Sequence, residues 1–195
     1  DRAVAWANRY DAIVDIVSVG NEATVDWTDH LIEPEAVTAY AAFLRARISQ
    51  PVTFCENYVP WLDKLTGLAE ELDVIAIHTY PAWEYKTVAE AMAYTRENFD
   101  AVQSAYPGKQ VIITEAGWTT ASNGRGIPPE NVGELFQETY LKELLEWAEE
   151  EEILVYVFEA FDENWKGSDH PLEPEKHWGI YRADRSGKPA LSLQL

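Results

Sequence analysis

Two glutamates each follow a short apolar run of the sequence. Glu22 ends the run at residues 16–21, and Glu115 ends the run at residues 111–114. Each run predicts a buried strand that stops at a carboxylate. In a barrel of parallel strands, the carboxyl ends open onto one face, and the chemistry takes place there. Two carboxylates delivered to that face are the groups needed to cleave a glycosidic bond.

Short apolar runs alternate with amphipathic stretches along the chain. We expect strands at residues 13–19, 52–55, 74–79, 111–114 and 154–158, with a further short strand at 178–181. We expect helices at residues 34–48, 61–72, 87–106 and 129–152, where apolar side chains recur at helical spacing. Five strands joined by four helical crossovers predict an α/β fold with a parallel sheet.

Two architectures fit this alternation, a doubly wound open sheet and a TIM (β/α)8 barrel. No glycine-rich phosphate loop follows any predicted strand, which disfavours the nucleotide-binding form of the open sheet. The carboxylates at strand ends favour the barrel. A complete barrel needs eight strands and about 250 residues. We therefore expect residues 1–195 to form a single catalytic barrel domain whose N-terminal part is missing.

The charge of the chain excludes several classes of partner. There are 15 Lys and Arg residues against 34 Asp and Glu residues, a net charge of −19. Nucleic acids and anionic membranes bind basic surfaces, so neither is expected, whereas a neutral substrate is compatible. No apolar run is long enough to span a membrane. The four histidines lack the two-His helical spacing of a zinc site, and we predict no metal or other cofactor.

A third charged segment follows the last long strand. Residues 157–166 place four charged side chains among three aromatic ones. Burying such charges is costly unless they form a hydrogen-bonded network. We therefore expect this segment to contribute a polar cluster to the same face.

Together these motifs resemble glycoside hydrolase family 17, the β-1,3-glucanase family, within a clan of retaining barrel glycosidases. Residues 19–22 are similar to the acid/base motif after strand four, and residues 113–118 to the nucleophile motif after strand seven. Residues 78–81, 158–166 and 175–179 are similar to the strand-six motif, the strand-eight motif and the motif that follows it. The resemblance covers nearly the whole chain, implies barrel strands four to eight, and is greatest to bacterial members.

The resemblance also implies roles for individual residues. Glu22 is the expected acid/base and Glu115 the expected nucleophile. The expected supporting residues are Asn21, Glu163, Lys166 and Glu175, and the expected substrate-binding residues are Glu56, Asn57, His78, Tyr80, Trp118, Phe161, Trp165 and Trp178. Lys166 either keeps Glu115 ionised or pairs with Glu163 or Glu175, and core packing is an equal alternative for Trp178.

The implied activity is retaining hydrolysis of β-1,3-glucan by a two-glutamate double displacement through a covalent glycosyl-enzyme. Transfer of the glucosyl group to another sugar by the same residues is one alternative, and an inactive or merely carbohydrate-binding barrel fragment is another. The expected partners are a β-glucan oligosaccharide or polysaccharide and the N-terminal part of the barrel. The resemblance further implies a secreted or periplasmic protein.

Overall fold

The computed structural model describes residues 2–193. The strands are β1 (Val17–Asn21), β2 (Val52–Asn57), β3 (Val74–Thr79), β4 (Gln110–Ala116) and β5 (Val155–Val157). The helices are α1 (Arg2–Arg9), α2 (Pro34–Arg45), α3 (Tyr58–Trp61), α4 (Thr66–Glu70), α5 (Val88–Ala105) and α6 (Glu134–Glu150). Short 3-10 segments lie at Pro129–Asn131, Pro174–Lys176 and Pro189–Ser192.

The five strands form one sheet in the order β1-β2-β3-β4-β5. The β1/β2, β2/β3 and β4/β5 pairs run parallel. Strands that are neighbours in sequence are also neighbours in the sheet, because a helical crossover returns the chain to the starting edge of the sheet between them. The predicted α/β fold with a parallel sheet is confirmed.

The burial of a strand depends on its position in the sheet. Every residue of the central strand β3 is buried. Strand β1, at one end of the order, is only partly buried. The sequence predicts a strand at residues 13–19 and full burial of the run at residues 16–21, and both the start of the strand and its full burial are wrong. The strand begins at Val17, and Ile13 is 76% exposed.

Two predicted helices are interrupted. Within the predicted helix 61–72, the chain turns between α3 and α4, where Leu62 and Asp63 donate to carbonyls only three residues back. Within the predicted helix 129–152, Gly133 adopts a φ of 154° and separates a 3-10 segment from α6. Glycine reaches this conformation without the clash that a Cβ would cause. The predicted strand 178–181 is reduced to isolated bridges that pair Tyr181 with Phe161 and with Gly187.

The described residues fall into two compact units. The first contains the residues up to His78 together with Phe99–Ile112, and the second contains Thr79–Asn98 and the residues from Ile113 onward. In the first unit, Trp61 is fully buried and donates its indole N–H to the Ala76 carbonyl over 3.0 Å.

In the second unit, the core lies between α6 and the loops that follow β4 and β5. The rings of Trp118 and Tyr140 lie 5.6 Å apart. The buried Gln137 amide donates to the carbonyls of Trp118, Trp178 and Gly179. A single α6 side chain therefore ties together the segments that follow two strands. Among residues 2–193, no helix combines the length and apolar character needed to cross a membrane.

Candidate active site

Glu22 lies immediately after β1, where the backbone departs from regular strand geometry. The pairing of β1 with β2 changes register between Ser18 and Asn21. Glu22 has a φ of 44°, in the left-handed region, and its N–H donates to the Cys55 carbonyl over 2.9 Å. Register shifts and positive φ re-aim a side chain, and both recur at functional sites. The local structure thus gives Glu22 an orientation that strand alternation alone would not.

Both carboxylate oxygens of Glu22 have partners within the first unit. His78, which is buried, places its Nδ1 atom 2.9 Å from Oε1. Trp27 donates its indole N–H to Oε2 over 3.2 Å. Burial raises the pKa of Glu22, but the bond and charge of His78 and the bond from Trp27 outweigh it, so the pKa lies below the ordinary 4.5. His78, predicted to bind substrate, instead holds a carboxylate.

Glu56 holds the segment that follows Glu22. Its side chain has no exposed surface, and its Oε2 atom accepts from the Thr24 N–H over 2.9 Å and the Thr24 hydroxyl over 2.7 Å. Its Oε1 atom accepts from the Asn57 N–H over 2.8 Å. The prediction that Glu56 binds substrate is therefore corrected, because a buried carboxylate with both oxygens bound has no free face to offer. Asn57 caps α3 by accepting from the Val59 N–H.

Glu115 lies near the end of β4, in the second unit, beside a second register shift. The pairing of β4 with β5 changes between Ile113 and Ala116. The phenolic O–H of Tyr80 donates to Glu115 Oε2 over 2.5 Å. Tyr80, which the sequence predicts to bind substrate, thus also contacts the strand-end carboxylate. A charge-assisted bond of this length is among the stronger hydrogen bonds in proteins.

Three rings, Tyr80 among them, pack together within the second unit. Phe158 lies 5.7 Å from Tyr80, Trp178 lies 5.1 Å from it, and these two lie 6.1 Å from each other, all edge to face. Trp178 is 1% exposed and Trp118 is 0% exposed. A ring without exposed surface cannot stack on a sugar. Trp118 therefore belongs to the core, which corrects the prediction that it binds substrate. For Trp178, burial supports the core-packing alternative.

The segment after β5 forms the expected polar network. Lys166 Nζ lies 2.8 Å from Glu159 Oε2 and 2.8 Å from Glu163 Oε2. It also lies 4.5 Å from the centre of the Phe158 ring. Of the alternatives for Lys166, the structure supports the pair with Glu163 and adds Glu159, which sequence reasoning missed. The sequence did contain a signal for Glu159, which is one of the four charged residues in 157–166.

In this network, burial and ion pairing have opposite effects on the pKa values of Glu159 and Lys166. Burial raises the pKa of Glu159 to about 6 against the lowering effect of Lys166, and the nearby charges of Glu163 and Glu175 add to the rise. Burial lowers the pKa of Lys166, but its bonds to Glu159 and Glu163 outweigh this effect and leave the pKa above its usual value. The supporting role of Glu175 stays a prediction.

The remaining predicted residues are accessible. Trp165 is 75% exposed and Phe161 is 38% exposed, and Asn21 is also exposed. Arg185 lies 4.4 Å from the centre of the Phe161 ring. Trp165 and Phe161 thus keep aromatic surface that a ligand such as a sugar can reach.

A buried lysine that no sequence signal indicated joins the loops after β4 and β5. The Lys188 ammonium donates to Asp162 Oδ1 over 2.7 Å and to Thr120 Oγ1 over 2.8 Å. Asp162 Oδ1 also accepts from the Gly179 N–H over 3.0 Å. Burial lowers the pKa of Lys188, against the raising effect of Asp162. These partners are far apart in sequence, so only the folded chain reveals the cluster.

Comparison with known proteins identifies the family of the chain. A family model described as the BtgE/BtgC glycoside hydrolase domain matches residues 1–179. The chain belongs to this family.

A probable β-glucosidase, btgE, of Emericella nidulans is 27% identical over 179 residues, which cover 86% of this chain and 30% of that protein. An endo-laminarinase from Formosa Hel1_33_131 has a similar structure, with a TM-score of 0.88 and 26% identity, covering 98% of this chain and 60% of that one. A glycoside hydrolase family 17 β-1,3-glucanosyltransferase from Rhizomucor miehei has a TM-score of 0.76 and 26% identity. The match covers 91% of this chain and 63% of that one. This BtgE/BtgC chain thus spans less than two thirds of the length of each.

Each unit contributes one carboxylate at the end of a parallel strand. In the first unit, a carboxylate at the end of β1 has one buried partner and one exposed partner. In the second, a carboxylate at the end of β4 accepts from a tyrosine held among aromatic rings. Carboxylates at the carboxyl ends of parallel strands are the groups that glycosidases use.

Proposed function

We propose that this chain is the catalytic part of a retaining family 17 glycoside hydrolase that cleaves β-1,3-glucan. The observation that carries the proposal is the position of Glu115, at the carboxyl end of a parallel strand and bound by Tyr80 over 2.5 Å, in a member of a glycoside hydrolase family. The sheet would supply strands four to eight of a (β/α)8 barrel, as one domain completed by an N-terminal part.

In the proposed mechanism, Glu115 attacks the anomeric carbon and forms a glycosyl ester, while Glu22 donates a proton to the departing glycosidic oxygen. Glu22 then takes a proton from water, which attacks the anomeric carbon and releases the sugar with retained configuration. Tyr80 orients Glu115 for the attack. Glu163 and Lys166 support the site from the segment after β5, and Asn21 is the proposed partner of the sugar 2-hydroxyl.

A lowered pKa leaves Glu22 ionised in the unliganded protein at neutral pH. Its proposed role as the acid requires a proton. We expect a bound sugar to supply the change, because it excludes water from the carboxylate and competes for its donors, and both effects raise a carboxyl pKa.

A β-glucan chain is the proposed partner, with Trp165 and Phe161 as exposed stacking surfaces. The similarity to a β-1,3-glucanosyltransferase favours one alternative, in which a second glucan chain replaces water as the acceptor. Products longer than the substrate would identify this reaction. The localisation that we propose is secreted or periplasmic.

The experiment that tests the function is hydrolysis of laminari-oligosaccharides by the intact protein, followed by NMR of the first-formed anomer. We expect the β anomer, and Glu115→Ala or Glu22→Gln should reduce kcat by about 10²-fold to 10⁴-fold. Azide should restore cleavage of an activated aryl β-glucoside, giving an α-azide with Glu115→Ala and a β-azide with Glu22→Ala. Binding of laminarin without cleavage would instead favour a carbohydrate-binding role.

A further inference from the structure

Trp27 combines an exposed ring with a hydrogen bond to a site carboxylate. It lies between β1 and α2 and is 64% exposed, whereas the tryptophans at 61, 118 and 178 are buried. Its indole N–H nevertheless has a specific partner, Glu22 Oε2, at 3.2 Å. An exposed aromatic ring that is bonded to a site carboxylate presents an apolar face to solvent at a fixed position.

The two oxygens of Glu22 are not equivalent. Oε1 lies 2.9 Å from Nδ1 of His78, whose side chain has no exposed surface. Oε2 faces the exposed Trp27. The exposed indole ring therefore lies beside the Glu22 carboxylate, where a ligand that exchanges a proton with Glu22 can reach the ring.

A general acid touches the oxygen of the leaving group, and the same residue later touches the oxygen of the incoming acceptor. Whatever borders the proton-transferring oxygen therefore borders both of these groups. We propose that Trp27 forms the floor of the leaving-group and acceptor subsite and sets the division between hydrolysis and transfer. The inference rests on the proposed function, because it takes Glu22 as the acid/base.

The chemical step at this subsite is explicit. The acceptor hydroxyl oxygen of a β-glucan chain forms a bond to the anomeric carbon of the glycosyl-enzyme. The ester bond from that carbon to the Glu115 carboxylate breaks, and its electron pair returns to the carboxylate. The hydroxyl proton passes to the Glu22 carboxylate. Stacking of the acceptor sugar on Trp27 would favour this acceptor over water, because sugar rings present apolar C–H faces to an indole.

Two substitutions separate the functions of the ring and of the N–H group. Trp27→Ala removes both, and we expect it to lower kcat/KM for laminari-oligosaccharides and the ratio of transfer to hydrolysis by about tenfold. Its kcat/KM for an aryl glucoside should fall by less than its kcat/KM for laminari-oligosaccharides, because the aryl leaving group carries no sugar to stack on the ring. Trp27→Phe keeps a stacking face but removes the donor that lowers the Glu22 pKa, so the alkaline limb of kcat/KM should move to higher pH while the product ratio stays close to that of the wild type.

Trp6→Ala is the matched control, because Trp6 is 57% exposed and lies on α1. It should leave the product ratio and the pH profile as they are in the wild type. If the wild type cleaves glucan but Trp27→Ala and Trp6→Ala have equal transfer-to-hydrolysis ratios and equal kcat/KM values, the proposed subsite is overturned. Absence of glucan cleavage by the wild type would instead overturn the proposed function.

The hydrogen bond from Trp27 to Glu22 can be measured without an activity assay. The indole N–H resonance of Trp27 should titrate with the Glu22 carboxyl group, at a pH below 4.5, in a ¹H–¹⁵N NMR series. The titration should disappear in Glu22→Gln. A resonance that is insensitive to pH in the wild type would contradict the pairing on which the subsite depends.

Discussion

Tyr80 donates its phenolic O–H to Oε2 of Glu115 over 2.5 Å, and its ring is fixed by edge contacts with Phe158 and Trp178. The two residues lie at the ends of different strands, because Tyr80 follows β3 and Glu115 lies near the end of β4. A donor that is already held in place does not have to be ordered when the carboxylate reacts. The pair is therefore built to orient Glu115.

Tyr80→Phe should lower kcat by about tenfold to hundredfold, because a hydrogen bond to a charged group contributes about 1.5–3 kcal/mol. The melting temperature should change little, because the ring and its packing remain. Steady-state kinetics and thermal melting provide the two measurements. Tyr156→Phe, at an exposed position of β5, should leave both unchanged. An unaltered kcat in Tyr80→Phe would contradict the orienting role.

Gly117 and Gly67 form a contrasting pair of glycines. A Cβ on Gly117 would lie 1.9 Å from the Phe158 carbonyl oxygen, which is backbone and cannot move aside cheaply. Gly117→Ala should therefore reduce the free energy of unfolding by about 2 kcal/mol or more and should displace Glu115, with loss of activity. Denaturant unfolding measures the first effect.

Gly67 lies in α4, and a Cβ at this position would have no heavy atom within 4 Å, so Gly67→Ala meets no obstacle. Alanine in a helix is favoured over glycine by about 0.5–1 kcal/mol, and a gain of this size is expected. Equal stability changes in the two alanine variants would contradict the close approach at Gly117.

Glu159 should make stability depend on pH in a direction that is unusual for a carboxyl group. Its pKa is raised from 4.5 to about 6 in the folded chain, so the folded state holds this proton more tightly than the unfolded state. Its contribution to stability is present below pH 4.5 and is lost as the pH rises through about 6. A ¹³C NMR titration of the carboxyl group reports this pKa directly.

Lys166→Met should move the Glu159 titration to higher pH, because Lys166 acts to lower that pKa. The pH range over which stability is lost should move with it. Lys142→Met, on the exposed surface of α6, is the control and should not change the titration. A Glu159 midpoint unaffected by Lys166→Met would contradict the ion pair.

Glu56→Gln tests the segment that follows Glu22. The carboxylate accepts from the Thr24 N–H, the Thr24 hydroxyl and the Asn57 N–H, and an amide NH₂ group in place of one oxygen would face a donor. We expect a loss of about 1–3 kcal/mol in unfolding free energy together with reduced kcat. Glu97→Gln, exposed on α5, should have little effect on either. Wild-type stability in Glu56→Gln would contradict the anchoring role.

The sequence by itself determined the order of the strands and the positions of the two carboxylates. Apolar runs that end at Glu22 and Glu115, separated by amphipathic stretches, predict parallel strands whose carboxyl ends carry charge. The bounds of the central strand β3 follow from the sequence to the residue, because burial on both faces leaves a continuous apolar run. The predicted start of β1 lies four residues too early, because partial burial makes its pattern less distinct.

Only the tertiary structure decided which side chains face a ligand and which are buried. Trp118 and Trp178 belong to site motifs in the sequence yet have almost no exposed surface, whereas Trp27 is exposed and bonded to Glu22. The partners of Lys166, and the burial of Glu56, likewise depend on loops that approach one another only after folding. Contacts between segments far apart in the chain depend on packing and leave no periodic signal in the sequence.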